Sequence, residues 1–344
     1  MRMISSMLPH IAVSGLLAAS LAAGCSSAEM ASGGAGGHVG AGGNGAGGSA
    51  AGGNGAGGTG GGSVVIGSSG CPLFTAGDAW NLDISGAAVD SAQNAIVMAA
   101  VGTAKIHPDF GVGFGIPFNV VPASQPAVPV TFNQYADESD PGPYPFPAVG
   151  VARVEGTTDP RSCSGDCHLL AVQMGACMLY EGWSCLYSDS TGWTCGNGAK
   201  WDLKKKSYGQ RPEGWTSVDA AGLPVYAGLA RYEEVMAGEI THALRFTMSH
   251  TAAAHIPPAT HDAGSGTNAP PMGLRVRLKA SYDASALAPE AQVFARAMKK
   301  YGMILADNGS NFYFQSEDNP NWSDGINDLK MIPASAFEAI VSPP

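Results

Sequence analysis

Between residues 32 and 62 the chain is almost wholly Gly, Ala, Asn and Ser, and this tract limits where a fold can lie. The octamer Ala-Gly-Gly-Asn-Gly-Ala-Gly-Gly occurs at 41–48 and again at 51–58. Such repeats carry too little apolar side chain to bury a core, and their glycines lose the most backbone entropy on ordering. They read as a flexible tether rather than a solenoid. At about 5–6 Å × √n its reach is roughly 30 Å. Eighteen of the 48 glycines lie here, so the glycine excess says little about the rest of the chain. The folded part is expected at residues 69–344 as one domain, long but common for β-rich proteins. The Pro-rich stretch 140–147 contains Tyr144 and Phe146 and reads as an ordered loop, not a second linker.

Composition narrows the class. Only 13% of residues are charged and 45% are hydrophobic, which excludes a highly charged disordered chain. A net charge of −10 makes nucleic acid an unexpected partner. No apolar run after the N-terminus is long enough to span a bilayer.

Arg2 is followed by an apolar run at 11–23, the layout of a secretory signal. Leu21-Ala22-Ala23-Gly24-Cys25 resembles a bacterial lipobox. That resemblance implies cleavage before Cys25 and acylation of its thiol and new amino group, with two or three acyl chains holding the protein at a membrane. The organisation expected is a lipoprotein signal peptide at 1–24, a lipidated tether at 25–68 and a β-rich extracytoplasmic domain at 69–344. Ser26 and Ser27, by resemblance to the usual sorting pattern, point to the outer membrane of the cell envelope, with membrane contact through the anchor alone.

Short apolar or alternating runs bounded by Pro and Gly predict strands at 118–121, 128–132, 168–173, 239–247, 274–280, 303–306 and 311–314. Helices are predicted at 90–101 and 289–301, the latter with Pro289 in its first turn, Lys299 and Lys300 in its last, and Gly302 as its stop. The fold class expected is mainly β with a few peripheral helices, a β-sandwich or jelly-roll-like domain. Six cysteines remain after Cys25: Cys71, Cys163, Cys167, Cys177, Cys185 and Cys195. An even number in an exported chain predicts disulfides, with the pairing open. A zinc site from Cys163, Cys167 and His168 is the alternative, but no second matched pair exists.

Chemistry-bearing residues fall into clusters. Asp137-Glu138-Ser139-Asp140 could bind Ca²⁺ or supply an acid, but lacks the spacing of an EF-hand loop; a solvated turn explains it equally. No cofactor is implied. Strict alternation over 239–247 places His242 with Ile240, Leu244 and Phe246, and Glu239 with Arg245 on the opposite face. Over 274–280 it places Arg275, Arg277 and Lys279 together. Were these strands neighbours, they would form a charged face suited to an anionic or hydroxyl-rich polysaccharide. Asp307 precedes Asn308-Gly309, a strong hairpin signal that alone accounts for the turn. Trp183, Trp193, Trp201 and Trp215 are candidates to stack on sugar rings or to fill a core. His250, His255 and His261 match no zinc spacing. No nucleophile elbow, zincin helix, phosphate loop or dinucleotide fingerprint is present.

The strings His107-Pro108-Asp109-Phe110-Gly111, Tyr135-Ala136-Asp137-Glu138-Ser139-Asp140, Gly214-Trp215-Thr216-Ser217, Pro271-Met272-Gly273-Leu274-Arg275 and Ala306-Asp307-Asn308-Gly309-Ser310 are similar to those of a family of secreted bacterial proteins common in actinobacteria and soil bacteria. The resemblance implies a secreted single domain and brings no catalytic residues with it. The functional expectation is a carbohydrate-active hydrolase or lyase. Glu239 and Asp307 would be its carboxylates, with Asp137 in reserve and Arg245, Arg275, Arg277 and Trp215 binding substrate. In a lyase, His242 or Tyr282 would act as base. The alternative is a non-catalytic surface lipoprotein that binds a glycan or a protein. Oligomeric state has no signature here.

Overall fold

The computed structural model describes residues 65–66 and 69–342; the expected signal peptide, Cys25 and the glycine-rich repeats lie outside the described residues. Strands β1 (Val65–Ile66) and β2 (Cys71–Pro72) pair antiparallel at the domain's entry. Helix α1 (Ser91–Val101) starts at Asp90, whose carboxylate accepts the amide hydrogens of Ala92 and Gln93, and ends at Gly102. Then follow β3 (His107–Asp109), β4 (Phe118–Val121), β5 (Val130–Phe132), β6 (Leu169–Gln173), β7 (Met178–Trp183), β8 (Leu186–Ser188), β9 (Gly192–Cys195) and β10 (Asn197–Asp202). Two short helices, α2 (Val225–Gly228) and α3 (Tyr232–Ala237), precede β11 (Leu244–Met248) and β12 (Arg275–Leu278). Helix α4 (Pro289–Lys300), β13 (Met303–Asn308), β14 (Tyr313–Gln315) and β15 (Phe337–Ala339) complete the order.

The described domain is mainly β and sandwich-like. A four-stranded sheet, β10-β7-β6-β4, and a six-stranded sheet, β15-β12-β13-β11-β14-β3, form its main layers, and β5-β9-β8 forms a third. Leu170, Val172, Leu179 and Trp201 of the first share a core with Leu244, Phe246, Val276 and Met303 of the second. Leu169 and Ala171 turn the other way, into a smaller core with Tyr144, Phe146 and Trp193. Strand β6 is thus buried on both faces, which is why its sequence is a continuous apolar run rather than an alternating one. Both main sheets are mixed, with parallel pairs β4–β6, β11–β13 and β14–β3. Helix α4 turns Ala291, Phe294, Ala295 and Met298 inward and sets Lys299 and Lys300 at its negative end.

All six expected cysteines are joined, as Cys71–Cys177, Cys163–Cys167 and Cys185–Cys195. That removes the zinc alternative, since no thiolate is left to ligate.

Two expectations about strand neighbours need correction. Strand β13 lies between β11 and β12, so the two are not neighbours. Arg245 and Arg275 are each in register with Ile304 and share a face of the sheet, but stand apart with Ile304 between them. Arg275 is buried and donates to the carbonyls of Tyr301 and Ala79, at 3.0 and 2.6 Å. Arg277 pairs with Glu338 at 2.8 Å and donates to the carbonyls of Ile84 and Ser85, and Lys279 donates to that of Ser335. These cations tie the edge of the sheet to its flanking segments, and none is left for substrate. Nor does Asn308-Gly309 close a hairpin, because β11 separates β13 from β14. The chain instead crosses the end of β11, where Phe312 N–H donates to the Thr247 carbonyl. A Cβ on Gly309 would lie 2.9 Å from Thr247 Oγ1, so the glycine serves this crossing.

Candidate functional site

A cavity of about 220 Å³ opens where the end of β13 meets the loop of residues 215–223. Asp219, Asp307, Asn308 and Ser217 line it, together with Tyr135, Trp183, Asp166 and His261.

A backbone irregularity puts Asp307 there. Arg245 is in register with Ile304 and Phe246 with Leu305, but Thr247 is in register with Asp307, leaving Ala306 as an extra residue. Strict alternation would turn Asp307 to the face of Leu305, away from Arg245. The bulge brings it onto the Arg245 face. There Arg245 Nη2 lies 3.4 Å from Asp307 and 3.6 Å from Asp219, while Nη1 donates to Gln315 on β14 at 2.5 Å. One guanidinium therefore sits between two carboxylates.

Asp219 is held by its own loop. Its Oδ1 accepts the amide hydrogens of Ala221 and Leu223, and Ser217 Oγ donates to the Leu223 carbonyl at 2.5 Å. Its Oδ2 is buried and accepts no hydrogen bond. Burial pushes the carboxyl up to about 7; the Arg245 charge opposes this and Asp307 adds to it. Asp307 keeps 30% of its side chain exposed. Burial raises its pKa too, against Arg245 and the Asn308 amide. Asp219 is the proton holder of the pair.

The acidic run 137–140 braces this loop. Arg211 donates through Nε to the Thr216 carbonyl and through Nη1 to Asp140, both at 2.8 Å, and through Nη2 to the Glu138 carbonyl. Glu138 in turn accepts the Thr216 amide. Asp137 is exposed on a short 3-10 turn and does not line the cavity; its neighbour Tyr135 does. Trp215 is half-buried beneath the Arg211 guanidinium, 5.6 Å from ring centre to Cζ, and stays off the cavity wall. Glu239 lies elsewhere. It is 65% exposed, 4.0 Å from Lys300, in a groove along α4, so the pairing of Glu239 with Asp307 is not assembled. The strand expected from 239 begins only at Leu244, so alternation had no meaning at Glu239. His242 is fully buried between Arg231 and the Ala243 carbonyl.

Behind the loop, His168 stands over Glu155 at 2.5 Å and donates through Nε2 to the Val218 carbonyl at 2.9 Å. Burial works against the charged ring, but the Glu155 carboxylate outweighs it and holds the imidazole up to about 9. His168 raised above its ordinary 6.5 contributes stability present below that value and lost as pH rises through about 9. The wild-type melting temperature is therefore expected to fall between these limits by more than that of His168→Asn. Parallel profiles for the two proteins would contradict a charged His168.

Two further features frame the site. Thr251 Oγ1 donates to Asn308 Oδ1 at 2.6 Å, and Asn308 Nδ2 to the Ala263 carbonyl, which fastens residues 251–263 beside Asp307. His255 bonds Asp262 and Glu213, at 3.0 and 2.6 Å, instead of joining the other histidines around a metal. Among the described residues, no three His, Cys, Asp or Glu side chains cluster as a metal would need. Helix α2 packs on β11 through Gly228, where a Cβ would lie 2.6 Å from Arg245 Cβ and 2.8 Å from its amide nitrogen. Gly228→Ala is expected to destabilise by about 1–3 kcal/mol in urea unfolding, because backbone must move. A change below about 0.5 kcal/mol would show that α2 can shift freely.

Asp219, Asp166 and Tyr135 are not singled out as site residues by the sequence. Trp183 is, as a ring to stack on sugars, and it lines the cavity, whereas His168 stands out in the sequence only as a zinc ligand. Asp219 carried a usable signal, an acid inside the apolar run Val218-Asp219-Ala220-Ala221-Gly222-Leu223. No family model, curated protein or solved structure gives a significant match to the chain.

Proposed function

We propose that this chain is a lipid-anchored cell-envelope protein whose domain hydrolyses a glycosidic bond. The observation that carries the reading is the pairing of Asp219 and Asp307 on one arginine at an aromatic-walled cavity. Glycosidases commonly need one protonated and one ionised carboxyl group across the scissile bond. Here the two differ in exposure, with Asp219 fully enclosed as general acid and Asp307, 30% exposed, as the ionised partner. Trp183 and Tyr135, with ring centres 6.1 Å apart, offer the apolar faces on which sugar rings stack. The cavity is small against the usual range for ligand sites, which suits one sugar unit at a chain end.

The location rests on the lipobox-like residues around Cys25 and agrees with three disulfides, which form in oxidising compartments. Among the described residues no helix is long and apolar enough to cross a membrane. A glycan panel assayed for new reducing ends tests the reading. Turnover of at least one polysaccharide or oligosaccharide is expected. Saturable binding with no product would reduce the domain to a glycan-binding module, and neither binding nor product would remove the reading.

A further inference from the structure

We infer that the Asp219–Asp307 cavity selects a sugar carrying a positive charge, an amino sugar with a free ammonium group, over neutral sugars and uronic acids. The inference deepens the glycan reading and rests on it. No Lys or Arg side chain lines the cavity, whereas three carboxyl groups do: Asp166, Asp219 and Asp307. Two cations behind the wall are turned to other partners. Arg245 spends its Nη atoms on Gln315, Asp307 and Asp219, and His168 spends both ring nitrogens on Glu155 and the Val218 carbonyl. Neither lines the wall; His261 does, with its Nδ1 on the Ala220 carbonyl, so an anionic sugar would meet three carboxyl groups and no Lys or Arg.

The aromatic wall of the cavity also points to a ligand, while Asp219 Oδ2 is enclosed and faces Arg245 Nη2 at 3.6 Å. Asp166 accepts the Trp183 indole N–H at 3.2 Å, which sets a carboxylate at the edge of an aromatic face that Tyr135 extends. Ring faces beside carboxylates attract an organic cation twice, through the ring quadrupole and through charge.

The test is calorimetric titration of the whole domain, in mildly acidic low-salt buffer, with four tetrasaccharides. These are fully deacetylated chitosan tetramer, chitin tetramer, cellotetraose and tetragalacturonate. Expected is chitosan tetramer binding about tenfold or more tighter than chitin tetramer or cellotetraose, with tetragalacturonate weakest. Asp166→Asn and Asp307→Asn should each weaken the chitosan tetramer about threefold to tenfold. Glu239→Gln removes the same charge outside the cavity and should leave it unchanged, which separates the site from general attraction of a polycation to an acidic protein. Equal binding of cellotetraose or tetragalacturonate, an equal effect of Glu239→Gln, or no binding of any oligomer would overturn the inference. Chitosan tetramer bound at the site but never cleaved would fail the hydrolase reading and leave this one standing. Cleavage of a neutral oligomer bound equally well would do the reverse.

Discussion

Asp219→Asn is expected to lower kcat by about 10²–10⁴-fold on any glycan the wild type cleaves, with KM changed far less. The amide keeps an oxygen to accept the Ala221 and Leu223 amide hydrogens, so the loop should stay in place. What it loses is the exchangeable proton. A carboxyl pushed up to about 7 by burial is still largely protonated in mildly acidic solution, and the wild-type rate should fall as pH rises through about 7. That falling limb should be absent from whatever residual activity the variant keeps. The stability sign runs the same way. A raised carboxyl pKa favours the folded state most below the ordinary 3.8, and that support is lost as pH rises towards 7. Asp219→Asn should therefore gain stability relative to wild type on going from acid to neutral pH. Asp307→Asn is expected to reduce kcat comparably, but by removing the ionised partner, so the falling limb should persist and move to lower pH, because the Asp307 charge helps to raise Asp219. Retained wild-type kcat in either variant would dismiss these roles.

Replacing Cys71 and Cys177 by Ser is expected to give the largest loss of stability of any change discussed. The bridge closes a loop of 106 residues that carries β3 to β6 and part of the smaller core, Tyr144 and Phe146 included. Chain entropy alone assigns about 4–5 kcal/mol to a loop of that length. For a domain of this size the melting temperature should fall on the order of 10 °C. Cys163–Cys167 spans only 4 residues and should contribute much less to global stability. Its consequence is local, because Asp166 lies inside that small ring and carries the Trp183 hydrogen bond. The double variant Cys163→Ser/Cys167→Ser should melt near wild type and bind ligand more weakly. A Cys71/Cys177 variant melting within about 2 °C of wild type would show that the core holds this loop without the bridge.

The layers of the fold were readable from the sequence because burial leaves a period. Phe118–Val121 alternates, residues 169–173 form a doubly buried run, and α4 has its proline, lysines and apolar stripe in place. Disulfide formation followed from an even cysteine count, but the partners depend on how distant strands meet. The site was far less readable. Asp307 was singled out, yet its partner was sought on a strand that begins five residues later than alternation suggested. The bulge at Ala306 reverses side-chain parity, and nothing in the local sequence announces it. Arg275 and Arg277 stood out for their charge and proved to be bonded to backbone carbonyls. Asp219 and His168 draw their chemistry from burial, which pattern does not encode for residues in loops and at strand ends.

The central claim is that burial holds Asp219 protonated beside an ionised Asp307. Carboxyl ¹³C NMR titration of the aspartate-labelled protein tests it without any substrate, with Asp219→Asn providing the assignment. The structure predicts an Asp219 midpoint of about 7, and Asp307 titrating at lower pH than Asp219. An Asp219 midpoint in the ordinary range near 3.8 would contradict the account.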